Sequence, residues 1–274
     1  MSVSMDDLPA AAGEASRALV DELAQNLGTD LAAAWLHGGT TFPDRPVVPG
    51  DLDICIVVTR AAPDEREPAA WLHSPASRPG RAYSCVSSVA EAHGVIFDVN
   101  FLLVDDMGRG EPPAEAFDAQ RRVTSWPVHR AHWLAGQYVP INGLRPEELV
   151  VAPTGAELLH ALDRELEHIE RHVHDGDAAD PAEATYALWN GSRILSTLAT
   201  GSPVISKRSA GTWATEHLPE RWHAAIRAAG RTYDGAANDQ DRELLRLQMG
   251  PFVEMVRQCL PVTQPRAPGP PRWS

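Results

Sequence analysis

Lysine is nearly missing from this chain: of 24 basic residues, only Lys207 is not arginine. A compact charge on a flexible stem is a familiar phosphate ligand, so one surviving lysine invites a functional reading, although chance alone could leave one. Cysteine is scarce too. Cys55, Cys85 and Cys259 are odd in number and scattered, which fits reduced core thiols better than a disulfide frame or a zinc cluster, and oxygen is the expected ligand for any metal. Positive charge is in deficit, with a formal net charge of −13. Nucleic acid is therefore not expected as a partner, because phosphate backbones need clustered Lys and Arg. A cationic small molecule is favoured, beside the plainer reading that acidity serves solubility. No apolar run approaches the roughly eighteen residues of a membrane span. Asp6 and Asp7 come early with no basic flank before an apolar core, so no secretory signal is expected and the protein is expected to be cytoplasmic.

What is present is enough for two cores: 274 residues, 43% of them apolar. Residues 1–12 read as a loose tail. Helical periodicity then runs over Glu14 to Leu27, closed by Gly28, and Leu31 to Leu36 is a short buried strand. A Pro- and Gly-bearing loop, Thr40 to Gly50, leads into a strand over Asp51 to Thr59. A helical piece near Pro68 to His73, a strand around Tyr83 to Val89, a turn at Ala90 to Gly94 and a strong strand over Val95 to Val104 are expected next. Glu111 to Pro113 marks a change of territory, and beyond it the texture is helical. Thr154 and Glu157 make a capping box for a helix to about Asp175; Pro181 to Thr200 ends at Gly201; Ser206 caps a third helix and Pro219 begins a fourth. Asn238 to Leu260 makes a fifth, with Gly250-Pro251 as a kink. The fold class is α+β: a mixed sheet with flanking helices over residues 13–150, an all-α bundle over 151–260, and a disordered tail over 261–274.

The chemistry lies in the first half. Gly38 and Gly39 follow a buried strand, where backbone N–H groups can approach a phosphate with no Cβ in the way. Strand side chains alternate, so Asp51 and Asp53 share a face. Asp51 alone could be an ordinary strand-start carboxylate, but two acids in so apolar a strand need positive charge between them. Asp98 interrupts another core strand. Three oxygen ligands favour magnesium bound together with substrate phosphates, and two such ions about 3.5 to 4 Å apart can clamp a phosphoryl displacement. Asp98 is the candidate base for an acceptor hydroxyl. Asn100 is read as a core hydrogen-bonding group. His168, His172 and His174 are read as a solvated face at a helix end, and Trp126, Trp133, Trp189, Trp213 and Trp222 as packing.

His37-Gly38-Gly39, Gly50-Asp51-Leu52-Asp53-Ile54 and Asp98 together resemble the active-site pattern of the polymerase-β-like nucleotidyltransferases. Ser192-Arg193-Ile194, Thr200-Gly201, Lys207, Trp213-Ala214, Glu216-His217-Leu218-Pro219 and Tyr233 are similar to the C-terminal domain of the spectinomycin and streptomycin adenylyltransferases. The second set is the more specific, and the resemblance spans residues 14 to 260. It implies that Asp51, Asp53 and Asp98 bind two magnesium ions, with Asp98 also the base. It implies that Gly38 and Gly39 cradle the triphosphate and that Arg193, Lys207 and Tyr233 contact ATP. The implied reaction is transfer of AMP from ATP to a hydroxyl of an aminoglycoside or aminocyclitol, giving resistance, by an enzyme expected to be a monomer.

Three departures qualify the resemblance. Gly39 stands where relatives often have Ser, and Thr40 or Thr41 is available to replace that hydroxyl. Asp98 stands where relatives commonly have Glu, so its carboxylate reaches one methylene less far. The stretch His172 to Glu183 has no Trp, whereas streptomycin-modifying relatives place a Trp and an Asp there. Spectinomycin, or another hydroxylated amine, is thereby favoured, with Glu183 as a contact for a ligand amine. The alternative is a nucleotidyltransferase that adenylylates another small molecule or, in toxin-antitoxin fashion, a protein; the helical partner motif of such enzymes, an Arg followed four to six residues later by His, has no clear match here.

Overall fold

The computed structural model describes residues 3–44, 51–59, 78–174 and 180–261. Helix α1 (Ala10–Leu27) follows a short 3-10 turn at Met5–Asp7, so ordered structure begins within the stretch expected to be a loose tail. Strands β1 (Leu31–Leu36) and β2 (Asp51–Val58) pair antiparallel. Helix α2 (Arg78–His93) then crosses to β3 (Ile96–Leu103), which runs parallel to β2. Parallel neighbours need such a crossover. The expected Pro68 to His73 helix lies outside the described residues, as does the tail from residue 262 onward.

Two expectations are corrected here. Tyr83 to Val89 is helix, not strand, and Ala90 to His93 continues it rather than turning. The segment alternates β-formers with serines, but Ala82, Cys85 and Val89 recur at helical spacing and bury themselves beneath α1 and the sheet. Nor does the chain leave the sheet at Pro113. After α3 (Val104–Met107), a two-stranded ribbon of β4 (Ala114–Glu115) and β5 (Asp118–Arg122), and α4 (Trp126–Leu134), strand β6 (Val139–Gly143) adds to the free edge of β1. The sheet order is β3-β2-β1-β6.

Each face of the sheet has its own core. Leu52, Ile54, Ile56 and Val58 pack with α1 and α2 on one side, while Trp35, Cys55, Val57 and Leu102 pack with Trp126 and Trp133 on the other. Alternation then fixes the acids: Asp53 shares parity with Cys55 and Val57, and Asp98 with Leu102. All point toward the α4 side.

After α5 (Pro146–Leu149) the chain becomes helical: α6 (Gly155–His174), α7 (Pro181–Thr200), α8 (Lys207–His217), α9 (His223–Tyr233) and α10 (Asp239–Cys259). Pro219 leads into a 3-10 turn ahead of α9, and α10 continues through Pro251. Helix α7 is central to the bundle. A Cβ on Gly191 would stand 2.8 Å from the Phe252 ring, so glycine is what lets α10 approach that closely.

The two halves are joined by a buried ion pair. Arg130, on α4 and 0% exposed, donates to Val151 O at 3.1 Å, Gly110 O at 3.2 Å and Glu157 Oε1 at 2.6 Å. Glu157 also accepts from Thr154, completing the capping box of α6. Removing one member of a buried pair strands the other, at a typical cost of about 3 kcal/mol or more. Glu157→Ala is therefore expected to lower unfolding free energy by about 3 kcal/mol. Urea unfolding measures it, and a loss below about 1 kcal/mol, the level of an exposed pair, would show that Arg130 finds other compensation.

Candidate active site

At the C-terminal side of the β1 turn, the backbone doubles back over β2. Gly38 adopts φ 69°, and a Cβ there would fall 1.8 Å from Asp53 Oδ2, so only glycine leaves room for the carboxylate. His37 N–H donates to Asp53 O at 2.9 Å, tying the turn to β2. In parallel register Asp53 lies beside Asp98, with Asp51 one pleat away. Ligand atoms of Asp51, Asp53 and Asp98 all lie within 4.8 Å of one another, and among the described residues no other group of His, Cys, Asp or Glu meets that test. Burial, then the charges of Asp51 and Asp98, pushes the Asp53 carboxyl up to about 7, while Lys207 and the Gly39 backbone pull it down. The acids repel one another. An all-oxygen donor set crowded in this way fits a hard divalent cation.

The helical half supplies opposite charge. Arg193, on α7, and Lys207, the first residue of α8, line the same cavity of about 790 Å³ as the three aspartates. Burial lowers the pKa of both, and so does Arg193 for Lys207; Asp53 and Glu165 oppose the shift in each. Arg193 Nε is buried without a hydrogen-bond partner. The Lys207 ammonium sits 5.5 Å from the Tyr186 ring centroid, and the Tyr186 hydroxyl donates to Glu165 at 2.7 Å. Asp44 reaches across from the first half and accepts from Ser206 at 2.5 Å and Ser209 at 2.7 Å, pinning the start of α8.

Of the residues singled out in the sequence, Gly38, Gly39, Asp51, Asp53, Asp98, Arg193, Lys207 and Tyr233 all line this one cavity. Glu183 does not line it. It is half-buried in the first turn of α7, and the carboxylate on that side is Glu165 of α6. His168, read as part of a solvated face, is half-buried on the cavity wall. Trp126, Trp133, Trp189 and Trp222 are buried packing residues, and Trp213 packs against the bundle core. Sequence reasoning missed Glu165, Tyr186, Asp44, His129 and His132. None of them carried a signal: Glu165, one turn from Leu162 and Ile169, reads as an ordinary charged flank of an amphipathic helix.

The cavity floor holds three imidazoles. His37 and His129 have ring centroids 5.0 Å apart, His129 Nε2 meets Ser125 Oγ at 2.7 Å, and His132 Nε2 meets Pro203 O at 2.8 Å. Burial first, then a neighbouring cation (His132 for His37, His37 for His129, Arg193 for His132), pushes each pKa down to about 3. The folded protein keeps these rings neutral while the unfolded chain protonates them near 6.5. Their contribution to stability is thus complete above about pH 6.5 and is lost as pH falls toward 3. Asp53, with its raised pKa, works in the opposite direction, one group against three. Stability should drop between pH 7 and 5, and His132→Gln, whose amide can still reach Pro203, should flatten that dependence by about 1 kcal/mol per pH unit. Urea unfolding at both pH values measures it; an unchanged slope would mean that His132 titrates in the fold as it does unfolded.

Residues 150–258 match the family model described as the aminoglycoside adenylyltransferase C-terminal domain. The structure is similar to the crystal structure of the spectinomycin adenyltransferase AAD(9) from Enterococcus faecialis, solved with ATP and spectinomycin. The TM-score is 0.64 and the identity 16%, over 89% of this chain and 98% of that one. At that identity the likeness speaks for the fold, while the family match speaks for the helical half that carries Arg193, Lys207 and Tyr233. The helical half is thus similar to the aminoglycoside adenylyltransferase C-terminal domain, and the chain as a whole shares the fold of that solved structure.

Proposed function

We propose that this protein transfers AMP from ATP to a hydroxyl of an aminoglycoside or aminocyclitol, with spectinomycin favoured over streptomycin, in a magnesium-dependent reaction. One observation carries the reading. A single cavity joins the glycine turn and three clustered carboxylates of the sheet half to Arg193, Lys207 and Tyr233 of the helical half. Backbone N–H groups at Gly38 and Gly39 and the two cations suit a triphosphate. Tyr233, 38% exposed and 4.7 Å from Trp189, offers an aromatic face beside them. The solved structure that shares this fold contains ATP and spectinomycin, which supports ligands of the same classes here.

Asp51, Asp53 and Asp98 would hold the magnesium ions, which when bound offset the charge of the phosphates and of the leaving group. The exposed Asp98 accepts the proton of the acceptor hydroxyl, whose oxygen forms a bond to the α-phosphorus. The bond from that phosphorus to the β-phosphate oxygen breaks, and pyrophosphate leaves against Arg193 and Lys207. On the acceptor side, Glu165 is the carboxylate proposed to meet a ligand amine. The absence of Trp between His172 and Glu183 supports spectinomycin over streptomycin. Incubating the enzyme with ATP, magnesium and a panel of aminoglycosides and aminocyclitols, followed by mass spectrometry, tests the reading. Adenylylated spectinomycin is the expected product, and a panel left wholly unmodified would overturn it.

Two variants divide the roles. Asp98→Asn should lower kcat by about 100-fold or more, with ATP affinity changed less; a collapse of ATP binding instead would make Asp98 chiefly a metal ligand. Lys207→Ala should weaken ATP binding by roughly 10- to 150-fold, the range of a charged hydrogen bond to phosphate, and Lys207→Arg should recover part of it. Calorimetry with ATP measures both, and wild-type affinity in Lys207→Ala would remove the helical half from the nucleotide site.

A further inference from the structure

Four consecutive residues at the start of α8, Ser206 to Ser209, are each engaged outside that helix. Lys207 turns into the cavity, and Arg208 pairs with Asp234 at 2.6 Å. The two serines that bracket them meet one atom. Ser206 Oγ donates to Asp44 Oδ2 at 2.5 Å, and Ser209 Oγ donates to the same oxygen at 2.7 Å. Hydrogen bonds from hydroxyls to an ionised carboxylate are short and stronger than neutral ones. Helix capping does not require them. Ser206 Oγ already accepts from Ser209 N at 2.9 Å, which serves the helix end by itself, so the carboxylate is an addition from the sheet half.

Asp44 stands where that addition has consequences. It comes three residues after the 3-10 turn over Gly38–Thr41, in which Thr41 Oγ1 donates to Gly38 O at 2.8 Å. Phe42 packs edge-on against the His132 ring, 5.5 Å between centroids, and the His132 ring meets Pro203 O at 2.8 Å. The segment from Pro203 to Ser209 is thus gripped at both ends by the sheet half. Lys207 is the residue that needs this. Its ammonium rides on a flexible stem, so its place depends on where the first turn of α8 is held and on the Tyr186 ring 5.5 Å from the tip.

We propose that Asp44 is a positioning residue for the nucleotide: by holding Ser206 and Ser209 it fixes Lys207 relative to the glycine turn, so that both meet one triphosphate. This rests on the AMP-transfer reading above for the identity of the nucleotide. Asp44 acts through the lysine, because a carboxylate placed against phosphate would be repelled. Nor does it join the metal-binding acids, whose cluster among the described residues is Asp51, Asp53 and Asp98.

Calorimetry on the full-length protein with magnesium and α,β-methylene-ATP, which cannot give up AMP, reads the coupling in a double-mutant cycle. Asp44→Ala should weaken binding 5-fold or more. In a Lys207→Ala background the same change should matter less than 2-fold, because the group that Asp44 positions is gone. AMP, which lacks the phosphates assigned to Lys207, should bind Asp44→Ala within 2-fold of wild type. Wild-type affinity for the triphosphate analogue in Asp44→Ala overturns the proposal. So does a loss that persists undiminished without Lys207 or extends equally to AMP, either of which would make Asp44 a general brace between the halves. If Asp44→Ala does not fold, Ser209→Ala replaces it in the cycle, since it removes one of the two bonds and leaves the Ser206 cap. A loss of 2-fold or more that disappears without Lys207 is then expected, and no loss, or one that persists, overturns the proposal. Adenylylation of the acceptor panel is scored separately. Coupling of Asp44 to Lys207 with no adenylylated acceptor removes AMP transfer and leaves this inference standing, adenylylation without coupling does the reverse, and a wild type that binds no nucleotide removes both.

Discussion

Three carboxylates whose ligand atoms lie within 4.8 Å of one another cannot all stay ionised in a half-buried site without positive charge beside them. That constraint organises this molecule. The sheet half creates the problem by pairing Asp53 with Asp98 in parallel register and by folding Gly38 over the Asp53 carboxylate. Lys207 reaches in from the helical half and lowers the Asp53 pKa, yet burial and the two neighbouring acids still hold it near 7. The protein's own cations therefore compensate the site only in part. What remains is a standing demand for cations, which is the electrostatic condition a magnesium nucleotide meets.

For that to work the halves must keep their places. Three polar links between them are visible, the buried His132–Pro203 contact at 2.8 Å among them, and the other two differ in character. Arg130 is fully buried and gathers the 110 turn, the Val151 carbonyl and the α6 capping box into one node, so the base of α6 is fixed to α4. Asp44 meets Ser206 and Ser209 at the cavity edge, where two hydroxyls on one carboxylate make a lighter contact.

The sequence was legible where local chemistry and tertiary packing agree. Leu31–Leu36 is strand because an apolar run ends at a glycine pair, the Thr154 and Glu157 capping box starts α6 in both sequence and structure, and Gly201 closes α7 with φ 74°. It misled at Tyr83 to Val89, where β-forming residues sit in a helix whose buried face, Ala82, Cys85 and Val89, is narrow enough to hide among serines. β6 was missed because Val139–Gly143 carries Pro140 and two exposed positions, an edge-strand composition that reads as loop. For the site, the acids and the glycine pair stood out as exceptions within apolar strands. Glu165 and Arg164 did not, because charged residues on an amphipathic helix are the rule, and only the packing of α6 against α4 and α7 decides which of them meets the cavity.

That distinction bears on how far kinship carries the chemistry. The parts that build the acid cluster, the register of Asp53 with Asp98 and the turn at Gly38, are set by backbone geometry and tolerate little change. The α6 wall of the cavity is set by side chains on a helix surface, where a substitution costs little in folding. In this chain that wall presents Arg164, His168 and Arg171 around Glu165, inside a protein that is acidic overall. The global charge draws cations toward the surface, but the local pattern governs what fits once inside, because screening over a Debye length of about 8 Å removes most of the distant acids from the sum. The net charge that first pointed to a cationic partner therefore describes the approach of a ligand, and the cavity's own side chains its fit.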